Sequence, residues 1–197
     1  MRRPDVTDTN SKIFWWALLA LAVLMAATRS HHFAGISHLP DASWAMFFLA
    51  GFYLRPAWVF AALLGLAGLS DYLAIGAFGV DGFCVSAAYA FLLPAYGALW
   101  YAGRRYAGLY RLQWATLPRL AGCALAGAAL AELLSGGGFY FFSGRFAETS
   151  LAEFAARLAL YFPQNLEGLA WYLGAAAVVH GLLSLAGAAA GRTSAAH

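Results

Sequence analysis

The sequence predicts an all-α integral membrane protein of one domain, residues 1–197, with six transmembrane helices and both termini on the cytoplasmic side. Three observations lead there. Hydrophobic residues make up 62% of the chain and charged ones only 11%, against about 25% in a soluble domain. That surface is too apolar for water, so the bilayer is the expected solvent. The apolar residues fall into six runs broken by charge or by Pro and Gly. The cations partition unevenly between alternate connections.

Taken in order, a polar, basic tail (residues 1–12) precedes the first apolar run, Ile13–Thr28. AATRSHHF offers no convincing small-residue cleavage site, so this run is expected to be retained as a helix. The second run, Ala42–Leu54, stops at Arg55-Pro56. The third is Ala57–Leu69, with a reach to Ile75. Both are short for a hydrocarbon core of roughly 30 Å. The fourth is Phe83–Tyr101, ended by GRR; the fifth is Leu117–Leu134 and the sixth Leu166–Ala190. Residues 137–165 are expected as an outer loop carrying an amphipathic helix. Ser150 is its N-cap, Glu153 completes a capping box, and Leu151, Phe154, Ala155 and Leu158 form an apolar stripe. That helix is a candidate lid.

With the N-terminus inside, nine cations (Arg2, Arg3, Lys12, Arg55, Arg104, Arg105, Arg111, Arg119, Arg192) fall on the cytoplasmic side and three (Arg29, Arg145, Arg157) on the outer side. The carboxylates and histidines run the other way: Asp41, Asp71, Asp81, Glu148, Glu153, Glu167, His31, His32 and His38 all fall outside. The outer face is therefore where a site is expected.

No phosphate-binding loop, dinucleotide fingerprint or nucleophile elbow is present. Nothing resembles a nucleic-acid module, and no HxxxH or CxxC pairing supplies a zinc site. The two cysteines form no disulfide framework. Cys123, within LAGCALAG, reads as a small buried hydrophobe. Cys84, in DGFCVSAAY, stands near the outer end of its run beside polar groups, where a thiolate can reach a soft or borderline metal in a ligand. Tyr89, five residues on, lies about 140° round a helix from it. Asp71 is an acid at a span end, a candidate functional group. Glu132 and His180 lie inside runs five and six and are candidates for a proton pair.

The six-run, Ala/Gly-rich plan resembles the substrate-binding S-components of energy-coupling-factor (ECF) vitamin transporters, and Ala22–Ala26 resembles their small-xxx-small docking pattern. More specifically, His32 in RSHHF, Asp71 in GLSDY, Cys84 and Tyr89 in DGFCVSAAY, and Arg157 in EFAARLAL resemble the outer-side set of the BtuM family of bacterial cobalamin transporters. The resemblance implies an S-component-like bundle in the bacterial inner membrane that binds cobalamin from outside and carries it across. Cys84 would ligate the corrin cobalt, with no free metal. His32, Asp71, Tyr89 and Arg157 would line the cavity. The partners it implies are an ECF coupling subunit with its ATPases, or none. Phe33, Trp44, Tyr72, Phe83, Tyr89 and Tyr161 are the aromatics expected at the outer ends for a flat, largely apolar corrin. Two other classes stay open: a thiol-dependent membrane enzyme that decyanates cyanocobalamin without transport, and a structural membrane subunit.

Overall fold

A computed structural model describes residues 6–29, 39–79, 82 and 86–194, with backbone alone at 6–10 and 187–194. His31, His32, Phe33, His38, Asp81, Phe83 and Cys84 lie outside the described residues. Six α-helices follow in chain order: α1 (Val6–Arg29), α2 (Ser43–Tyr53), α3 (Ala57–Phe78), α4 (Leu92–Leu109), α5 (Thr116–Phe142) and α6 (Leu151–Ser194), with a 3₁₀ turn at Ala87–Phe91 before α4. They alternate in direction. Their ends gather at an Arg29 end, where α1, α3 and α5 finish, and a Trp114 end, where α2, α4 and α6 finish.

Against the six expected spans, four helices among the described residues are long and apolar enough to cross a membrane: α1 from Ser11, α3, α5, and α6 to Ala186. Their outer faces carry exposed Trp15, Trp16, Leu19, Leu69, Leu73, Leu130, Val178 and Leu182, apolar surface that only lipid or a partner can solvate. These helices support membrane insertion.

Run two is a core helix. α2 has 11 residues, about 16 Å at 1.5 Å per residue, half of what a bilayer needs. Ser43, Ala45, Met46, Phe47, Phe48, Leu49, Ala50 and Gly51 are buried, enclosed by α1, α3, α4 and α6. α2 and α4 run in the same direction. Phe47 stacks on Tyr96 with centroids 4.3 Å apart, and further along Phe52 stacks on Tyr106 at 5.1 Å. Between these stacks two glycines let the backbones meet: a Cβ on Gly51 would overlap the Trp100 carbonyl, and one on Gly103 the Phe48 carbonyl.

Run four is displaced. The helix starts at Leu92, not Phe83, and passes through GRR to Leu109. Ser86 accepts a hydrogen bond from the Ala88 amide (3.3 Å) and opens the 3₁₀ turn instead. Pro94 is tolerated because it sits in the first helical turn. The arginines do not end the helix because Arg104 donates to the Arg55 carbonyl (2.7 Å) and lies 4.6 Å over the Trp100 ring.

Residues 137–165 are not one outer loop. Residues 137–142 complete α5, 143–150 form the connection, and Leu151 starts α6, a single 44-residue helix that contains Pro163. At about 66 Å it is far longer than a bilayer is thick. GGG at 136–138 remains helical because the missing side chains make room: Gly138 packs on the Phe91 ring and Gly137 on Phe154. Ser150 caps α6 through its hydroxyl, which accepts from the Glu153 amide at 3.1 Å. The return arm of the capping box is replaced. The Ser150 amide donates to the Tyr140 hydroxyl (3.0 Å), and that hydroxyl donates to Glu153 (2.9 Å).

Candidate functional site

The most connected polar cluster stands at the Arg29 end. Arg29, the last residue of α1, places its guanidinium among α2, α3 and α4. Its Nε and Nη2 donate to the two Asp71 carboxylate oxygens at 2.7 and 2.8 Å, a bidentate pair of the geometry that suits Arg. Its Nη1 donates to the Ser43 hydroxyl (2.9 Å) and the Tyr96 hydroxyl (2.6 Å). The Tyr89 hydroxyl donates to Asp71 Oδ2 at 2.6 Å. Asp41 accepts from the Ser43 amide and hydroxyl at 2.8 and 2.7 Å. The segment entering α2 is pinned by two further bonds: the Ala42 amide to Thr28 Oγ1 (3.0 Å) and the Tyr172 hydroxyl to the Pro40 carbonyl (2.8 Å). Five helices thus converge on a small set of charges in a region of restricted solvent, where such bonds are strengthened.

Asp71 and Tyr89, both expected at the site, are in direct contact. Arg29, Ser43 and Tyr96 complete the cluster and were not anticipated. The available signal was charge parity: an Arg closing run one and an Asp near the end of run three fall on the same side, so they can pair. Cys84 and His32 lie outside the described residues. The described chain on both sides of Cys84 is tied to α3. A Cβ at Gly82 would lie 3.7 Å from Ile75, one turn beyond Asp71, and Tyr89 holds Asp71 itself.

Arg157 is elsewhere. It ion-pairs with Glu153, one turn earlier on α6, with Nη2 at 2.8 Å from Oε1. Its guanidinium lies over the Phe146 ring at 4.6 Å and the Tyr140 ring at 5.4 Å. There it borders a cavity of about 340 Å³ lined also by Glu132, Phe139, Phe154 and Tyr161. α5 separates this cavity from the Arg29 cluster, although its neighbouring positions Gly137 and Gly138 touch Phe154 on one side and Phe91 on the other. Of the aromatics expected around a corrin, Tyr161 lines this cavity and Trp44 packs on the core. Tyr72 is 73% exposed and faces outward instead, because its neighbour Asp71 takes the inward position on α3.

Glu132 and His180 do not form a proton pair. The Glu132 side chain is buried and accepts from Asn165 (2.8 Å), whereas His180 Nδ1 lies 3.0 Å from the Tyr53 hydroxyl near the Trp114 end. Glu132→Gln is expected to cost under about 1 kcal/mol, because an amide oxygen can still accept from Asn165. Glu132→Ala should cost about 1–3 kcal/mol by stranding the Asn165 amide. Thermal unfolding of the two variants in detergent gives the difference.

Among the described residues no three His, Cys, Asp or Glu side chains converge to hold a metal ion. No family model matches the chain, and no curated protein matches it.

Proposed function

We propose that the protein binds a corrinoid at the Arg29 end and carries it across the bacterial inner membrane, with the Cys84 thiolate as an axial donor to cobalt. The observation that carries this reading is the 2.6 Å hydrogen bond from Tyr89 to Asp71. It fastens the chain just after Cys84 to a rigid polar cluster at the end of an otherwise apolar bundle. Arg29 holds both oxygens of Asp71, so the carboxylate is oriented before any ligand arrives, as a preorganised site requires. The charge asymmetry supports an outward-facing Arg29 end and cytoplasmic termini.

Cys84 would act by ligand exchange at Co(III). The Co–S bond would form as the Co–C bond to cyanide breaks with the electron pair on cyanide, and the thiol proton would leave with it as hydrogen cyanide. Cobalt keeps its oxidation state throughout, so no reductant is needed.

A visible spectrum of the purified protein from cells grown with cyanocobalamin, beside Cys84→Ala, tests the reading. The expected result is a copurifying corrinoid with a shifted spectrum that the substitution alters or abolishes. Tyr89→Phe should weaken binding about tenfold by removing a bond to a charged group. A colourless protein that takes up no added cobalamin overturns the reading. Rescue of a strain unable to import cobalamin separates a transporter from a membrane enzyme that only decyanates.

One observation favours a second reading, a structural subunit. Both Asp71 oxygens are already engaged within the bundle, as in a clamp between helices. That reading expects a colourless protein, a silent Cys84→Ser, and a Tyr89→Phe variant altered in stability alone.

A further inference from the structure

A large cavity lies at the opposite end from the Arg29 cluster. It has a volume of about 660 Å³ and lies among α2, the α4–α5 connection, the start of α5 and the second half of α6. Its floor is the buried Phe48 and its mouth is Trp114, 88% exposed. The walls are almost entirely apolar. Their polar side chains are Tyr53 with its His180 partner, Tyr106 with its Thr116 partner, Tyr110 and Gln113.

Two glycines of α6, Gly174 and Gly181, widen this space. They are two turns apart, both line the cavity, and a Cβ on either would meet no atom within 4 Å. They differ from Gly51 and Gly103, whose missing side chains let backbones touch. A glycine inside a helix costs about 0.5–1 kcal/mol relative to alanine, yet no packing among the described residues uses the room it leaves.

The charged side chains described near the mouth are cationic. Arg111 adjoins the lining residue Leu112, Arg119 adjoins Leu120, and Arg55, Arg104 and Arg105 belong to the same end. Every carboxylate whose side chain is described (Asp41, Asp71, Glu132, Glu148, Glu153, Glu167) belongs to the opposite half. An exposed Trp beside Arg residues is the arrangement of a membrane–water interface. Basic groups at that level attract anionic headgroups.

We propose that this cavity is a specific site for an anionic phospholipid, one acyl chain lying against α2 and α6 and the headgroup held at the Trp114 mouth by Arg111 and Arg119. The volume falls within the range of roughly 300–1,000 Å³ typical of small-molecule sites. The apolar walls take the chain, and the arginines choose the charge. The site is distinct from the Arg29 cluster and does not depend on the corrinoid reading.

Native mass spectrometry in mild detergent, with phosphatidylglycerol or phosphatidylcholine added, tests it. The wild type should retain one phosphatidylglycerol in clear preference to phosphatidylcholine. Gly181→Phe, whose Cβ meets no atom within 4 Å and whose ring would occupy the cavity, should lose that lipid while its elution volume and melting temperature stay near wild type. Gly174→Leu is the second filling variant should the first misfold. Arg111→Gln with Arg119→Gln should cut the preference for phosphatidylglycerol by about tenfold or more while a chain still binds. The proposal is overturned by filling variants that retain the lipid, or by equal binding of the two lipids to the wild type. It is equally overturned by a wild-type dimer that Gly181→Phe splits, since a second copy would then be the occupant.

Discussion

Arg29→Met is expected to destabilise the protein by about 3 kcal/mol or more, the cost of removing one partner from a largely buried ion pair. The Arg29 side chain is 7% exposed and that of Asp71 26%. Without the guanidinium the Asp71 carboxylate keeps one described partner, Tyr89, and the hydroxyls of Ser43 and Tyr96 lose their shared donor. The four elements that Arg29 ties together, α1 to the start of α2, α3 and α4, would be held there by apolar contact alone. Arg29→Met with Asp71→Leu should recover a large part of the loss, because an apolar pair leaves no buried charge unpaired. Thermal unfolding in detergent of the two single variants and the double variant measures this coupling. Additive losses would mean that the pair contributes nothing as a pair.

Gly103→Ala should be more damaging than its size suggests, at least about 3 kcal/mol, the upper range for overpacking. The added methyl would run into the Phe48 carbonyl and the Phe52 amide region of α2. Backbone atoms in a buried helix cannot rotate aside as a side chain can. Relief requires α2 and α4 to separate, which would open the Phe47–Tyr96 and Phe52–Tyr106 stacks on either side of the crossing. The expected observation is a low yield of monodisperse protein and a sharply lower melting temperature. Gly108→Ala, at a position on the same helix with nothing within 4 Å, should be neutral or slightly stabilising, since alanine favours helix. Equal behaviour of the two variants would contradict the close crossing.

Much of the architecture was legible in the residue order, for identifiable reasons. Runs three and five gave helices that begin within one residue of their expected starts, at Ala57 and Thr116, because each is apolar and opens beside a proline; α1 instead begins at Val6, seven residues before Ile13. The Ser150 cap was legible because an N-cap depends on residues three apart. Errors came where a local stop signal was outweighed by packing. GRR did not end α4 because Trp100 and the Arg55 carbonyl take up Arg104. GGG did not end α5 because Phe91 and Phe154 fill the space beside it. Run six is expected to begin at Leu166, yet its helix begins at Leu151 and continues through Pro163.

The candidate site was partly legible for the same reasons. Asp71 and Tyr89 stood out as polar groups near the outer ends of apolar runs, and they meet. Arg29 did not stand out, because in the sequence it is one more interfacial cation; its partner is 42 residues away. Arg157 was expected beside Asp71 but is held by Glu153, four residues from it on the same helix, a pairing local enough to form without the rest of the fold.

The sequence by itself determined the solvent, the helical class and the excess of positive charge at one end, because these follow from composition and order along the chain. Only the tertiary structure decided that α2 lies in the core while α1 and α6 face outward, that Arg29 closes on Asp71, and that a large apolar cavity lies at the Trp114 end. The physical reason is that lipid and protein interior are both apolar. Hydropathy therefore cannot tell a helix facing lipid from one facing its neighbours, and that distinction rests on which backbones the glycines at 51 and 103 allow to touch.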